Sequence, residues 1–302
     1  MLTMTGWVLV LTAALWAGST SATLREIEAA IAAGKFSEAL RLLAAYPPSV
    51  DKHLLASKAY DGMGDAARAV SEAEAALKLA PAHEPAHLQL GQVFLSHNTP
   101  QAAWEVFSEA LTLLPESFLL RLGRGLAAKE LQRYEDAESD LKACLQRRPD
   151  FPLAFDALAT VYLHAHRYEE ALALADSYRK RQPADYRGAY FAAAAREGLK
   201  QEPDRAIELA RQAVRLNPRF AAAHALLGKL LLVEGQHATA ISALEQAIAL
   251  RPNYTPAMLH LAQAYRAAGR SEDAARAFEQ VRRLKAQEQL GTPSLQYRRG
   301  LR

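Results

Sequence analysis

A single cysteine, Cys144, stands in the 302 residues. It excludes an intrachain disulfide framework and leaves nothing to mispair in an oxidising compartment. No Lys, Arg, Asp or Glu occurs before Arg25, and the apolar run there, Trp7 to Ala17, is short. It falls well below the roughly 20 residues that cross a bilayer as a helix. An excess of one charge sign is missing too, with 36 Lys+Arg against 33 Asp+Glu and half the residues hydrophobic, which excludes a disordered polyelectrolyte. There is no G-x-x-x-x-G-K-[ST] phosphate loop, no G-x-G-x-x-G turn and no G-x-S-x-G nucleophile elbow. What is abundant is alanine, 63 residues of it. Alanine loses no side-chain entropy in a helix and lets helices approach closely, so the composition favours an all-α chain.

The first 22 residues form a segment apart. The apolar run is followed by Gly18, Ser19, Thr20, Ser21 and Ala22, small residues of the kind that end a secretory signal peptide. The expected cleavage falls between Ala22 and Thr23. An uncleaved membrane anchor is the alternative, because the usual Lys or Arg ahead of the apolar run is missing.

Proline recurs at Pro81, Pro115, Pro149, Pro183, Pro218 and Pro252, at a spacing of 34 residues with one step of 35. Twelve residues before each lies an alanine: Ala69, Ala103, Ala137, Ala171, Ala206 and Ala240, with Ala39 and Ala274 extending the row. A period of this length marks a repeat architecture in which each unit is one supersecondary element. Within a period the pattern has two helical halves. In residues 84–115, Leu90, Gly91 and Phe94 fall on one face of the first half, and Ala103, Phe107 and Ala110 on one face of the second. Pro85, Pro152 and Pro256 stand at helix starts, where the missing N–H costs nothing. Glu38, Asp65, Asp136, Glu169, Asp204 and Glu272 open the second helices, favourably for the helix dipole. Gly34, Gly64, Gly235 and Gly269 mark turns between the paired helices.

On these residues the chain resembles the tetratricopeptide repeat (TPR) family. The family pattern is matched by His87, Leu90-Gly91, Phe94, Ala103, Phe107, Ala110 and Pro115. Leu227-Gly228, Ala240, Leu244, Ala247 and Pro252 match it again, as do Leu261-Ala262, Tyr265, Gly269, Ala274 and Phe278. The resemblance implies an all-α, right-handed superhelical solenoid of about eight helix-turn-helix repeats across residues 23–286. Their approximate limits are 20–49, 50–83, 84–117, 118–151, 152–185, 186–220, 221–254 and 255–286. The first repeat is about four residues short, the sixth has one residue inserted near Gly198–Pro203, and the last helix runs on through Gln289. Residues 287–302 are a basic helix extension and tail. Residues 282–302 carry Arg282, Arg283, Lys285, Arg298, Arg299 and Arg302 against Glu288, a net of +5.

The resemblance also implies where a ligand would lie. First helices line a concave groove that holds a peptide or protein segment. The groove positions fall on Lys58, Asp61, Gln92, Ser96, Lys129, Asp156, Thr160, Tyr190, Lys229, Gln263 and Arg266. Leu54, Leu88 and Leu259 would add apolar area where they are not buried. The relatives that clamp a chaperone C-terminus use Lys, Asn and Arg at sites held here by Leu54, Lys58, Gln89, Leu119 and Gly123, so that clamp is absent. The Asn row of sugar-transferase relatives is replaced by Leu55, Gln89, Gly123, Ala157, Leu226 and His260.

Three motifs invite chemistry. His83-Glu-Pro-Ala-His87 has the literal zinc-protease spacing, but Pro85 belongs in a first helical turn and puts His83 in the connector. His164 and His166 fall at a helix end and turn, and Cys144 at a small buried repeat position. The expectation is a non-catalytic scaffold with no metal and no cofactor, exported to the periplasm or secreted. Its partner is a protein or peptide rather than nucleic acid, with membrane contact only through an uncleaved N-terminus or the basic tail. The alternative is a membrane-anchored subunit of a larger envelope assembly or transport complex.

Overall fold

The computed structural model describes residues 22–289. The apolar segment up to Ser21 and the tail from Leu290 lie outside the described residues, and Ala22 and Thr23 open the first helix. Sixteen α-helices and no strand make up the described residues, arranged as eight consecutive pairs. They are α1 (Ala22–Ala32) and α2 (Phe36–Ala44); α3 (Val50–Gly62) and α4 (Ala66–Leu79); α5 (Glu84–Ser96) and α6 (Pro100–Leu113); α7 (Phe118–Glu130) and α8 (Tyr134–Arg147). They continue as α9 (Pro152–His164) and α10 (Tyr168–Arg181); α11 (Tyr186–Leu199) and α12 (Pro203–Leu216); α13 (Ala221–Val233) and α14 (His237–Leu250); α15 (Thr255–Ala267) and α16 (Ser271–Gln289). The irregularities fall where the sequence puts them. The second helix of the first pair has 9 residues instead of 14, and α16 extends to 19. The inserted residue sits in the loop Lys200–Glu202 between α11 and α12.

The described chain divides into two compact units, one ending at Cys144 and the other beginning at Leu145. Each is built alike. A first helix packs on its own second helix and on the first helix of the next pair, and the second helix packs on both. The core of the first unit is built on Leu24, Ile27 and Leu55 toward its start, and on Leu90, Phe94, Phe107 and Leu120 toward its end. The second unit is built around Phe155, Tyr178, Phe191, Leu231 and Leu244. All eight alanines of the ladder are buried, seven of them completely. Small side chains are required there because second helices approach the first helices across them.

Phe107 shows how a large residue exploits these small neighbours. Its ring lies against the backbone of Gly91 in its own repeat and of Gly123 in the next, and a Cβ at either glycine would overlap it. One side chain thus ties α5, α6 and α7 together.

The loop closing each pair carries a left-handed residue at one position, and the α11–α12 loop adds a second at Glu202, φ 48°. Its left-handed residue is Gly34, Gly64, Gly235 or Gly269 in four pairs, with φ of 72–78°. In the four middle pairs the same position holds Asn98, Gln132, His166 and Lys200, with φ of 54–58°. A Cβ in this region costs about 1–2 kcal/mol, less for Asn, and glycine returns about 0.4–1 kcal/mol through the freedom of the unfolded chain. Gln132→Gly, at an exposed site, is therefore expected to stabilise the protein by about 0.5–1 kcal/mol. Asn98→Gly should change it little. Thermal unfolding of the two variants side by side checks this, and equal shifts would contradict it.

A second departure is the ion pair inside the fourth pair. Arg124 stands where the repeat ladder carries Leu90, and its Nε and Nη2 donate to the two carboxylate oxygens of Asp140 at 2.7 and 2.8 Å. The Asp140 side chain is 3% exposed and that of Arg124 27%. Arg121 adds a longer contact at 3.9 Å.

Candidate functional site

In each unit the polar side chains of consecutive first helices meet on one face. In the first unit Asp61, near the end of α3, accepts a hydrogen bond from Ser96 Oγ on α5 at 3.1 Å. His97 Nε2 lies 3.2 Å from the same carboxylate oxygen. Ser, His and Asp are thus adjacent, but both partners converge on the acid and no base faces the serine, so this is no nucleophilic triad. One helical turn earlier on the two helices stand Lys58 and Gln92, both half-buried. Burial pushes the Lys58 ammonium below the usual lysine range, and Glu28 on α1 offsets this in part. Lys129, at the end of α7, pairs with its neighbour Glu130 at 2.6 Å.

The second unit repeats the device with different residues. Asp156 on α9 accepts from Arg187 Nε on α11 at 3.2 Å. Arg187 also bonds Asp185, which accepts from the Tyr178 hydroxyl at 2.8 Å. Tyr178 is stacked on Phe155, with ring centres 3.8 Å apart, and its hydroxyl is pushed up by burial and by the bond to Asp185. Lys229 on α13 pairs with Glu197 on α11 at 2.7 Å. Tyr190 lies edge-on against Phe220, centres 5.0 Å apart, and its phenol is likewise raised by burial. Thr160 is half-buried on α9. On α15, Gln263 Oε1 lies 3.2 Å from His260 Nδ1. Burial lowers the His260 imidazole below the usual range, against that hydrogen bond. Arg266 is exposed, with its guanidinium 5.7 Å from the centre of the Phe278 ring.

The structure therefore brings Asp61 and Ser96 together and gives Asp156 and Lys229 ion-pair partners, which stiffen the first-helix layer. Among the described residues, Gln92, Thr160 and Arg266 carry no such bridge between first helices. Leu54 and Leu88 are buried and contribute no contact area, whereas Leu259 is half-buried. Arg187, Glu197 and His97 were not among the sequence-selected residues. The signal was present as opposite charges one repeat apart, Asp156 with Arg187 and Glu197 with Lys229, and it appears only when consecutive repeats are compared.

The motifs that invited chemistry are occupied otherwise. His83 is the residue before α5, and His87 is buried with Nε2 2.8 Å from the Pro81 carbonyl. The same bond recurs as Arg121 to Pro115 and His224 to Pro218, so a polar side chain here closes the connector. No group of three His, Cys, Asp or Glu placed to hold a metal ion occurs among the described residues. His164 and His166 are exposed, the latter in its left-handed turn, and Cys144 is buried.

Two sequence profiles, both described as tetratricopeptide repeat, match the chain. One covers residues 54–118, 122–186 and 200–255, and the other 231–291. Over 135 residues the chain is 30% identical to Protein FlbA of Caulobacter vibrioides, which is 42% of this chain but 22% of that protein. The chain thus spans less than a quarter of the length of this relative. Among solved structures, a tetratricopeptide repeat protein from Parabacteroides merdae superposes with a TM-score of 0.65 at 18% identity, over 78% of this chain and 93% of that one. Yeast Tom70 gives 0.61 at 19% identity, over 83% and 56%. The Cut9–Hcn1 hetero-tetramer of the APC/C gives 0.60 at 17% identity, over 82% and 49%.

Proposed function

The chain belongs to the tetratricopeptide repeat family, whose members serve as protein-interaction scaffolds, and from that premise we propose that it is a non-catalytic adaptor. Its ligand is a peptide or protein segment held in a concave groove lined by the first helices. The observation that carries this reading is that helix pairs account for all of residues 22–289. Their first-helix faces offer half-exposed donors and acceptors (Lys58, Gln92, Thr160, Gln263) alongside Arg266. The ion pairs Asp156–Arg187 and Lys229–Glu197 hold that face in shape before the ligand arrives, which reduces the ordering cost of binding. Export is part of the proposal and rests on the apolar, uncharged opening of the sequence followed by small residues.

A second reading, a membrane-anchored subunit of a larger assembly, draws on the same opening segment left uncleaved and on the basic end of the chain. Crosslinking in the native host followed by mass spectrometry separates the two. The expected result is a mature chain starting near Thr23, with crosslinks from Lys58, Lys129 or Lys229 to one protein. An intact Met1 with crosslinks only through Lys285 would favour the anchored subunit. Recovery of the chain with no crosslinked protein would count against both.

A further inference from the structure

The four first helices of the second unit, α9, α11, α13 and α15, carry six charged residues: Asp156, Arg187, Arg196, Glu197, Lys229 and Arg266. Five of them are ion-paired, Asp156 with Arg187, Glu197 with Lys229, and Arg196 with Glu202 at 3.0 Å. What remains open on this layer is aromatic and neutral. Tyr186, Tyr190, Phe220 and Tyr254 are half-buried, and so are Leu226 and Leu259. The centre of the Phe220 ring lies 4.7 Å from that of Tyr186 and 5.0 Å from that of Tyr190. Arg187 and Arg251 lie over the Tyr186 and Tyr254 rings, 4.9 and 4.7 Å from their centres.

The polar groups left over on this layer are mostly donors. Among the described residues the Tyr190 and Tyr254 hydroxyls have no hydrogen-bond partner. Gln263 spends its oxygen on His260 Nδ1 and keeps its amide N–H groups, while His260 Nε2 stays open as an acceptor. An ordinary peptide brings an N–H with every carbonyl, and each N–H needs an acceptor once water is excluded. Proline brings the carbonyl without the N–H, and proline-rich segments in the polyproline II form dock on aromatic-lined grooves. Single-stranded nucleic acid also stacks on aromatic rings, but it carries a phosphate with each base. The cations free to meet phosphates on and beside this layer are few: Arg266, with Arg219 and Arg251 in the connectors.

We propose that the first-helix layer of the second unit takes a proline-rich protein segment. Its pyrrolidine rings lie against Tyr186, Tyr190, Phe220 and Tyr254, and its carbonyls accept from the Tyr190 and Tyr254 hydroxyls. The proposal rests on the adaptor reading and names the chemistry of the ligand.

Titration of the full chain into a labelled oligoproline of about nine residues, about three turns of polyproline II, tests it by fluorescence anisotropy. The expected result is saturable binding that changes by less than about twofold between about 0.05 M and about 0.5 M salt, because screening has no free ion pair to weaken. Tyr190→Phe with Tyr254→Phe keeps both rings and should weaken binding at least about tenfold, since two hydrogen bonds are lost. Gln92→Ala, in the first unit, should leave it unchanged. Thermal unfolding confirms that each variant is folded.

The proposal is overturned if the oligoproline does not bind, if the double Tyr→Phe variant binds it as well as the parent, or if Gln92→Ala loses as much. Preferred binding of an oligoglutamate or a thymidine oligonucleotide of equal length would also reject it. Should crosslinking through Lys229 still trap a protein when the oligoproline does not bind, the adaptor reading stands and the proline assignment falls.

Discussion

Phe107→Ala is expected to lower the unfolding free energy by about 3–5 kcal/mol, the usual cost of removing a buried aromatic ring. The ring is 2% exposed and fills the space left by two glycines on different helices. Its loss opens a cavity that neither α5 nor α7 can close without moving. Denaturant unfolding followed by circular dichroism measures the total, and hydrogen exchange locates it. Protection should fall first in α5, α6 and α7. A partner experiment makes the cause specific. Gly123→Ala in the wild type forces a methyl group into the ring and should itself destabilise by about 1–3 kcal/mol. In the Phe107→Ala background the same methyl enters the vacated space, so the two costs should fall well short of adding. Full additivity would show that the ring does not occupy the gap.

Asp140→Ala is expected to cost about 2–4 kcal/mol. Breaking a fully buried pair costs about 3–5 kcal/mol, because it strands the remaining charge. Here Arg124 keeps 27% of its side chain in solvent and can recruit water, which moderates the loss. Adding Arg124→Leu to the same chain restores the apolar residue that the ladder carries at Leu90 and should recover most of the stability. Replacing a buried ion pair by packed apolar groups is often neutral or favourable. Urea unfolding of the two single variants and the double variant forms a closed cycle. If the double variant is as damaged as Asp140→Ala alone, the pair is not the cause.

Features that repeat along the chain can be seen in the sequence, and features that depend on contact between helices cannot. Helix pairing, the buried alanine row, the short first repeat, the insertion beside Gly198 and the run-on of α16 were all legible, because packing repeats every 34 residues and leaves a periodic trace. The closing turns were half legible. Gly34, Gly64, Gly235 and Gly269 announce the left-handed residue, but Gln132, His166 and Lys200 adopt it under tertiary constraint, against their own preference. The polar face of the first helices was legible as a set of positions and not as a set of contacts. Reading Asp61 or Lys229 by itself does not reveal Ser96 or Glu197, because these bonds join neighbouring first helices whose register only packing fixes. Leu54 and Leu88 fill the core for the same reason, since a half-turn of rotation decides whether a leucine faces outward or its neighbours. Arg124 and Asp140 were not singled out in the sequence, since each is an ordinary charged residue on a helix until the other is placed beside it. Their pairing needed the geometry.

Within each unit every substantial helix contact joins helices one or two places apart along the chain. No segment therefore waits for a distant one in order to find its partner, and the entropy of closing long loops hardly enters the folding barrier. A chain of this kind can acquire structure in the order in which it is made. Each helix pair settles on the one before it while the rest is still being synthesised or threaded through a narrow channel. For an array of this length that is a kinetic advantage. At any moment the sticky, unfinished surface is confined to the growing end, about one helix pair wide, however many repeats have already emerged.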